Sequence, residues 1–361
     1  MRNDPAVAER GSRPGGLDAE ATIHDPAVPG STSQKLLTVS DLRVTFSRGD
    51  RVVHAVNGLS YELDAGRILA VIGESGSGKS VSSRALMGML PPSARITGSA
   101  KIAGTELVDM PDKQMRRLRG SDLAMVFQDP SRSLNPTMRI GSQVTEAIRM
   151  HEKLDRRIAR TRAIDLLRLV RLPAPERRFL EYPHQLSGGM RQRVMIAIAL
   201  AGKPRVLIAD EATSALDVTT QAQIMELLVE LQQELGMAII LISHDLGLAA
   251  SYAHDVLVMY AGQAVEYAPT EKLFAALRMP YTRALLGAIP QLEAQPHTLL
   301  PVIHGQPPDL SALPAGCPFR PRCDSASDTC EQAPALIEHE PQHWWACWHP
   351  AGVGSDDGGQ P

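Results

Sequence analysis

The residues best suited to do chemistry form a short glycine-rich run early in the chain. Gly73–Ser80 has the sequence GESGSGKS, in which a glycine is followed after four residues by Gly-Lys-Ser. An apolar run precedes it and a helix-compatible stretch follows it. In that setting the glycines let several backbone N–H groups point at one oxyanion, and the next helix adds positive charge at its N-terminus. The run therefore predicts a phosphate-binding loop.

The side chains of the predicted phosphate loop have expected roles. Lys79 is expected to reach the β- and γ-phosphates of a bound nucleotide, and Ser80 is expected to bind Mg²⁺. The other positions expected to surround the phosphates are Gly73, Ser75, Gly76, Ser77, Gly78 and Val81.

Polar side chains also follow three other apolar runs, as expected at the edge of an α/β sheet where ligands bind. Asp210, at the end of VLIAD, is expected to hold Mg²⁺, and Glu211 is expected to polarise the water that attacks the γ-phosphate. Gln128 follows AMVF and is expected to bind Mg²⁺ or that water. His244 follows LIS and is expected to contact the γ-phosphate and to orient Glu211 or the water.

A second glycine turn opens the stretch LSGGMRQRVMIAIAL at residues 186–200. Ser187 supplies a hydroxyl there, and Gly188 and Gly189 allow a ligand to approach the backbone closely. The stretch after the turn is helix-forming, so the helix N-terminus favours negative charge at this place. The turn is predicted to hold an anion.

The elements that must position these groups follow from hydrophobic periodicity. Continuous apolar runs at residues 67–72, 205–210 and 237–243 predict buried strands, and helical patterns such as Gln221–Leu235 separate them. This alternation predicts an α/β fold with a parallel sheet covered on both sides. Nearer the N-terminus, alternating apolar and polar residues from Leu36 to Leu63 predict antiparallel strands.

Composition divides the chain into further segments. Residues 1–34 are rich in Gly, Pro, Ala and Asp and are predicted to form a disordered extension. Residues 35–290 carry the α/β pattern, which a charged and mostly helical segment interrupts at about 130–185. Residues 291–361 begin Pro-rich and lead into a cluster of cysteines, which predicts a separate C-terminal extension.

The overall composition argues against several classes of protein. A net charge of −3 and an aromatic content of 4% give no sign of nucleic-acid binding. No apolar run approaches the roughly 20 residues that span a bilayer. The N-terminus lacks the apolar segment of a secretion signal, so the expected location is the cytoplasm.

Four cysteines lie near the C-terminus, separated by five, six and sixteen residues. In a cytoplasmic protein such a cluster indicates a metal site more than a disulfide framework. The separations match neither the short pair of common zinc modules nor the usual ferredoxin spacings, so zinc, a [4Fe–4S] cluster and no metal stay open on spacing alone. The cysteines are Cys317, Cys323, Cys330 and Cys347.

Taken in chain order, these motifs resemble those of ATP-binding-cassette (ABC) ATPases over residues 36–290. Two positions depart from the common pattern: Met190 stands where many members have glutamine, and Ala212 stands where proline is common. Neither departure removes a phosphate ligand. The matching motifs are the phosphate loop, Gln128, Ser187–Gly189, Asp210–Glu211, Ser214–Asp217 and His244.

The resemblance implies how the motifs work together. Family members dimerise head to tail, so the Ser187–Gly189 turn of one subunit would cap the γ-phosphate of ATP held by its partner. The Ser214–Asp217 loop would cross the seam between the subunits. The presence of Glu211 implies a site that hydrolyses ATP. Phe46 is either the aromatic side chain that stacks on adenine or a buried aromatic of a strand.

Longer stretches are similar to the ATP-binding subunits of dipeptide and oligopeptide importers, a group that includes nickel importers. They are MVFQDPSRSLNPTMRIGSQVTE, PHQLSGGMRQRVMIAIAL and GCPFRPRCDSASDTC. This resemblance places a [4Fe–4S] cluster ahead of zinc for the four cysteines. It also implies ATP and Mg²⁺ as ligands and a position on the cytoplasmic face of the membrane.

The same resemblance implies a set of partners. Two membrane permeases would contact the helical segment, a second ABC subunit (identical or distinct) would complete the dimer, and an extracytoplasmic binding protein would deliver the peptide. Nickel or another small solute is the alternative cargo. A soluble ABC ATPase that acts on DNA or ribosomes is the alternative from another functional class.

Overall fold

Two sheets form the core of the residues that the structure describes, which are 35–49, 51–214, 216–288 and 303–352 of a computed structural model. The predicted N-terminal extension, residues 1–34, lies outside these residues, as does the predicted boundary at residue 290. The strands are β1 (Leu37–Arg48), β2 (Arg51–Leu63), β3 (Ile68–Ile72), β4 (Ala94–Ile102), β5 (Thr105–Glu106), β6 (Leu123–Val126), β7 (Val206–Asp210), β8 (Ala238–Ser243), β9 (Asp255–Tyr260), β10 (Gln263–Pro269), β11 (Ile337–Glu340) and β12 (His343–Trp345).

The smaller sheet is antiparallel and has the strand order β2-β1-β4-β5. Its strands alternate buried and exposed side chains, because one face packs on the larger sheet and the other meets solvent. Leu42, Val44 and Val56 of the buried face share a core cluster with Val71 and Ile240 of the larger sheet. The predicted antiparallel strands are confirmed.

The larger sheet has the order β11-β12-β10-β9-β3-β8-β7-β6, and its strands from β9 to β6 are parallel. Every residue of β3, β7 and β8 is buried, which explains their continuous apolar sequences. The register pairs Ile72 with Ser243 on one side of β8 and Asp210 with Ile242 on the other. The carboxyl ends of β3, β8 and β7 therefore meet at one edge of the sheet.

The helices Gly188–Leu200 and Val218–Leu235 pack on one face of the larger sheet, and the antiparallel sheet packs on the other. Residues 130–185 contain helices without strands among the described residues. The first helix, Lys79–Leu86, ends earlier than the helix-compatible sequence, because Gly88 adopts a left-handed φ of 58° just beyond it. The helices are α1 (Lys79–Leu86), α2 (Asp112–Leu118), α3 (Pro130–Ser133), α4 (Ile140–His151), α5 (Arg156–Leu169), α6 (Pro175–Arg178), α7 (Gly188–Leu200), α8 (Val218–Leu235), α9 (Leu246–Tyr252), α10 (Thr270–Ala275) and α11 (Pro280–Gly287).

The C-terminal segment packs against the sheet rather than standing apart from it. β12 pairs with β10 through Tyr267 and Trp344, so the segment adds β12 and β11 to the edge of the larger sheet. Phe319 is buried in a core cluster with residues of β3 and β9. The α/β core with its antiparallel sheet is confirmed, whereas the Cys-rich character of the C-terminal extension as a metal-binding unit stays a prediction.

Candidate active site

The predicted phosphate loop runs from the end of β3 to the start of α1, and two of its glycines have no room for a side chain. A Cβ atom on Gly73 would lie 2.2 Å from the carbonyl oxygen of Met259. A Cβ atom on Gly78 would lie 2.4 Å from the carbonyl oxygen of Ala55, and Gly78 also has a left-handed φ of 98°. Only glycine fits at these two positions, because any side chain would collide with a neighbouring strand.

Lys79 lies inside the phosphate loop. Its Nζ donates hydrogen bonds to the carbonyl oxygens of Gly73 at 2.7 Å and Glu74 at 2.9 Å. Burial lowers the pKa of Lys79, and three nearby carboxylates oppose that shift. The ammonium group is therefore held under the loop, where a phosphate chain would lie across it.

The remaining residues of the loop differ in how far they are exposed to solvent. Ser75 and Gly76 are exposed at the tip, whereas Ser77 is buried beneath it. Val81, in the first turn of α1, is half-buried and packs against the core between the two sheets. The tip is the part of the loop that is open to a ligand.

Ser80 and Asp210 meet at the edge of the larger sheet. The hydroxyl of Ser80 donates a 2.6 Å hydrogen bond to Oδ1 of Asp210. Burial raises the pKa of Asp210, while the bond from Ser80 and the nearby guanidinium of Arg84 act in the opposite direction. A hydroxyl and a buried carboxylate so close together form a set of hard oxygen donors that suits Mg²⁺.

Glu211 and Gln128 form a second polar pair at the same edge. The amide Nε2 of Gln128 donates a 2.7 Å hydrogen bond to Oε2 of Glu211. The backbone of Glu211 has a left-handed φ of 48°, and its N–H donates to the carbonyl of Ile242 at 3.0 Å. Glu211 therefore turns away from the strand direction at the end of β7, and Gln128 holds its carboxylate.

His244 directly follows β8 and is exposed. Because Ser243 pairs with Ile72 of β3, the register brings His244 level with Gly73 of the phosphate loop. The structure thus brings all three predicted strand-end groups, Gln128, Glu211 and His244, to one edge.

The glycine turn at Ser187 caps α7 as its sequence predicts. The Ser187 hydroxyl accepts a 3.3 Å hydrogen bond from the N–H of Met190, and Ser187 itself is exposed. A Cβ atom on Gly189 would lie 2.6 Å from Cγ2 of Thr220. The turn therefore has an open helix N-terminus on one side and a close contact with α8 on the other.

The loop before α8 follows Glu211 directly. The Asp217 carboxylate caps α8 by accepting a 3.0 Å hydrogen bond from the N–H of Thr220. Ser214 is exposed, and Ala215 lies outside the described residues. Phe46, the possible adenine-stacking residue, is partly buried and packs against the core beneath the antiparallel sheet.

Two residues of the site have no counterpart in the sequence motifs. Arg322 binds the carboxylate of Glu74 through two hydrogen bonds, and the hydroxyl of Tyr281 accepts a bond from the N–H of Glu74. Both residues lie more than 200 positions beyond the loop in the sequence. No local pattern could have identified them, since their role depends on where the C-terminal segment folds.

The four cysteines are free thiols that line one pocket next to Phe319. Burial raises the pKa of Cys317, Cys323 and Cys347, the last to about 11. Within the described ranges, no group of three or more His, Cys, Asp or Glu side chains is arranged to hold a metal ion. The predicted metal site of four cysteines is therefore not confirmed: the thiols converge without forming the close set that tetrahedral zinc requires.

Comparison with known proteins agrees with the geometry of the site. Residues 56–214 match the ABC transporter family model, and residues 265–330 match the model of the oligopeptide/dipeptide transporter C-terminal region. The fold is similar to the dimeric structure of a post-hydrolysis state of the ATP-binding cassette MJ0796 bound to ADP and Pi. That likeness has a TM-score of 0.59 and 27% identity, over 65% of this chain and 98% of that one.

Relatives at higher identity match most of the chain. The oligopeptide transport ATP-binding protein OppD of Escherichia coli (strain K12) is 47% identical over 91% of this chain and 98% of its own length. The dipeptide transport ATP-binding protein DppD of Bacillus subtilis (strain 168) is 45% identical over 87% of this chain and 95% of its own length. The chain therefore belongs to the oligopeptide and dipeptide transport ATP-binding proteins of the ABC transporter family.

Proposed function

We propose that this protein hydrolyses ATP to power the import of di- and oligopeptides through a pair of membrane permeases. The observation that carries the proposal is the meeting of the phosphate loop, the Ser80–Asp210 pair and the Gln128–Glu211 pair at one sheet edge. These are the groups needed to bind a triphosphate, hold its metal ion and activate water. Family membership supplies the coupling to peptide transport.

The phosphate loop binds the triphosphate in this proposal. Its tip and the N-terminus of α1 provide backbone N–H donors, and Lys79 provides fixed positive charge. The Lys79 ammonium is already held by the carbonyls of Gly73 and Glu74, so its side chain loses little conformational freedom when phosphate binds. Ser80 and Asp210 would hold Mg²⁺, which neutralises charge on the phosphates when it is bound.

Glu211 is the proposed general base. Its carboxylate accepts the proton of the attacking water, and Gln128 fixes the carboxylate by a direct hydrogen bond. His244, which is exposed just after β8, would donate to the γ-phosphate. A positioned general base contributes roughly 10²–10⁴-fold to the rate of a reaction.

A second ABC subunit, identical or distinct, is proposed to complete the site. Ser187 is exposed at the N-terminus of α7, a helix of 13 residues, so its hydroxyl and the helix dipole can meet a phosphate carried by another subunit. The exposed Ser214 and Asp217 would lie along the same seam.

The permeases are proposed to dock on the helices at residues 130–185. A groove there is lined by residues of α4 and α5 and of the segments next to them, among them Arg139, Arg149 and Arg160. Met150 and Leu180, which both line it, are 78% and 48% exposed, so the groove has an apolar part that is open to a partner. The groove therefore offers both positive charge and apolar contact to a short cytoplasmic segment of a membrane protein.

A surface substitution pair tests this docking. Met150→Asp should abolish co-purification with the permeases from detergent extracts while basal ATP hydrolysis continues. Met89→Asp is the matched control, because Met89 is also exposed (44%) but lies near the end of α1, outside that groove. Equal permease recovery with both variants would place the docking surface elsewhere.

A peripheral position on the cytoplasmic face of the membrane follows from this docking. No helix among the described residues is long and apolar enough to cross a bilayer. The peptide would reach the permeases from an extracytoplasmic binding protein. The alternatives, a nickel or small-solute importer and a DNA- or ribosome-directed ATPase, have no structural observation in their favour.

A [4Fe–4S] cluster in the pocket of the four cysteines remains part of the proposal. Four thiols that line one pocket are the donor set such a cluster needs, and when bound it would cross-link the C-terminal segment. Iron and acid-labile sulfide measured on anaerobically purified protein test it, with Cys323→Ser as the comparison. Four titratable thiols and no iron in the anaerobic protein would remove the cluster from the proposal.

Reconstitution into liposomes tests the transport function as a whole. The protein, its two permeases and the binding protein are expected to take up labelled peptide only with ATP, and Glu211→Gln in the same complex should take up none. Peptide-independent uptake of nickel by this complex would contradict the peptide assignment.

A further inference from the structure

The phosphate loop carries a carboxylate that a buried arginine of the C-terminal segment holds. Nη1 of Arg322 donates to Oε2 of Glu74 at 2.7 Å, and Nη2 donates to Oε1 at 3.0 Å. The Arg322 side chain is only 5% exposed and that of Glu74 is 22% exposed. This is a two-pronged, largely buried pair, the geometry in which arginine binds a carboxylate most strongly.

Arg322 is itself fixed in place. Its Nε donates to the carbonyl oxygen of His304 at 2.8 Å. Its guanidinium carbon also lies 5.9 Å from the ring centroid of Tyr260 and 6.0 Å from that of Phe319. The N–H groups of the guanidinium are hydrogen-bonded and its plane lies near two aromatic rings, so it has little freedom to leave Glu74.

The backbone of Glu74 is held from the same side. Its N–H donates to the hydroxyl of Tyr281 at 2.8 Å, and Tyr281 is fully buried. The rings of Tyr281, Tyr260 and Phe319 pack together with centroids 4.5–5.3 Å apart. The start of the phosphate loop therefore rests on an aromatic cluster that joins β9, α11 and the C-terminal segment.

Glu74 presents an electrostatic problem for a triphosphate site. Its carbonyl oxygen accepts a hydrogen bond from Lys79, and its carboxylate is one of the three that oppose the lowering of the pKa of that ammonium. The carboxylate therefore acts on the position where several negative charges must bind. An uncompensated carboxylate would repel the phosphates and attract the Lys79 ammonium. A buried guanidinium in direct contact removes most of that effect.

We infer that Arg322 is a positioning residue for ATP binding: it offsets the charge of Glu74 and fixes the start of the phosphate loop. The C-terminal segment is thus part of the nucleotide site, although Arg322 reaches ATP only through Glu74. The inference concerns nucleotide binding by this chain alone and does not depend on the transported cargo.

A double-mutant cycle on Arg322 and Glu74 tests the inference. Dissociation constants for Mg-ATP are measured by calorimetry on the purified full chain, and KM and kcat are measured by phosphate release. Arg322→Met should weaken ATP binding and raise KM roughly tenfold, the effect of one uncompensated charge near the phosphates, with kcat changed less than about twofold. Arg322→Lys keeps the charge and should recover part of the affinity.

The double variant distinguishes an electrostatic role of Arg322 from a merely structural one. Glu74→Gln combined with Arg322→Met should bind ATP several-fold more tightly than Arg322→Met alone, because the repulsive carboxylate is gone and only the fixing of the loop is lost. Glu74→Gln alone supplies the remaining variant of the cycle. A merely structural arginine would leave the double variant as weak as Arg322→Met. That outcome, or wild-type affinity in Arg322→Met, would overturn the inference.

Arg320→Met is the matched control. Arg320 lies in the same 3₁₀ turn and forms its own ion pair with Glu331 at 3.0 Å, away from the phosphate loop. It should bind ATP as the wild type does, and an equal loss in this variant would assign the effect to general damage of the segment. A wild-type chain that failed to bind ATP would count against the ATPase function instead, so the two failures are distinguishable.

Discussion

Gln128 and Glu211, which lie 83 residues apart in sequence, are joined by a 2.7 Å hydrogen bond between the amide Nε2 and the carboxylate Oε2. Gln128 follows β6 and Glu211 follows β7, so the bond joins the ends of two neighbouring strands. Gln128 also begins the connection from β6 to the helical segment where the permeases are proposed to dock. A movement of that segment can therefore reach the proposed base through a single side chain.

Replacing Glu211 by glutamine is expected to separate binding from hydrolysis. The carboxamide cannot accept a proton from water, so phosphate release should fall roughly 10²–10⁴-fold while Mg-ATP still binds. Gln128→Ala, which keeps the base but removes its hydrogen-bond donor, should lose less. Turnover above about one tenth of the wild-type rate in Glu211→Gln would assign the base to another residue.

Removing the hydroxyl of Ser80 is expected to weaken Mg²⁺ binding. Ser80→Ala leaves Asp210 without its 2.6 Å partner and removes one oxygen donor. The Mg²⁺ concentration for half-maximal ATP hydrolysis should rise roughly tenfold, as measured by titration at saturating ATP. Ser82→Ala is the control, because the Ser82 hydroxyl donates to the carbonyl of Lys79 within the same helix. An unchanged Mg²⁺ dependence in Ser80→Ala would exclude the hydroxyl as a metal ligand.

The stability of the antiparallel sheet is expected to depend on pH through Glu106. Burial alone would raise the pKa of Glu106, but hydrogen bonds from Ser99 and from the N–H groups of Ala100, Val108 and Leu107 hold it below its ordinary value of 4.5. A carboxylate whose pKa is lowered by folding stabilises the native state above the unfolded pKa. That contribution is lost as the pH falls through the folded value.

Glu106→Gln should therefore lower the free energy of unfolding by about 1 kcal/mol at pH 7. The difference from the wild type should shrink as the pH falls below 4.5, as measured by denaturant unfolding at a series of pH values. The exposed Glu226 on α8 offers a control, since Glu226→Gln should follow the wild-type profile. A difference independent of pH would mean that packing, not charge, accounts for the loss.

Gly189 is expected to tolerate a methyl group less well than Gly188. An alanine Cβ at Gly189 would lie 2.6 Å from Cγ2 of Thr220, a stiff branched side chain, whereas at Gly188 it would lie 3.3 Å from the flexible end of Leu216. Gly189→Ala should cost about 1–3 kcal/mol of stability, and Gly188→Ala less, as measured by chemical denaturation. If both variants lost the same stability, the contact with Thr220 would not matter, and α8 would be able to move away from α7 without cost.

Several features of the fold could be predicted from single stretches of sequence. β3, β7 and β8 were recognisable as continuous apolar runs, because strands buried on both faces need no polar side chains. The strands at the other end of the sheet, β9 to β12, were not predicted. Their pairing depends on partners distant in the chain, such as Tyr267 with Trp344.

The four cysteines show what spacing along the chain leaves undecided. Their clustering near the C-terminus correctly predicted that they would be close in space, and all four line one pocket. Spacing along the chain does not fix the angles between thiols, however, and no metal-binding group is formed within the described residues. The distance between two residues in sequence limits their separation in space without determining the direction in which their side chains point.

By itself, the sequence determined the phosphate loop, the strand-end carboxylates and the glycine turn at Ser187. Each of these depends on a few consecutive residues, since a glycine turn and a helix N-terminus create an anion site locally. Only the tertiary structure decided that Arg322 neutralises Glu74 and that Gln128 holds Glu211. Those pairs join residues 248 and 83 positions apart, so they exist only where packing of the core brings distant segments together.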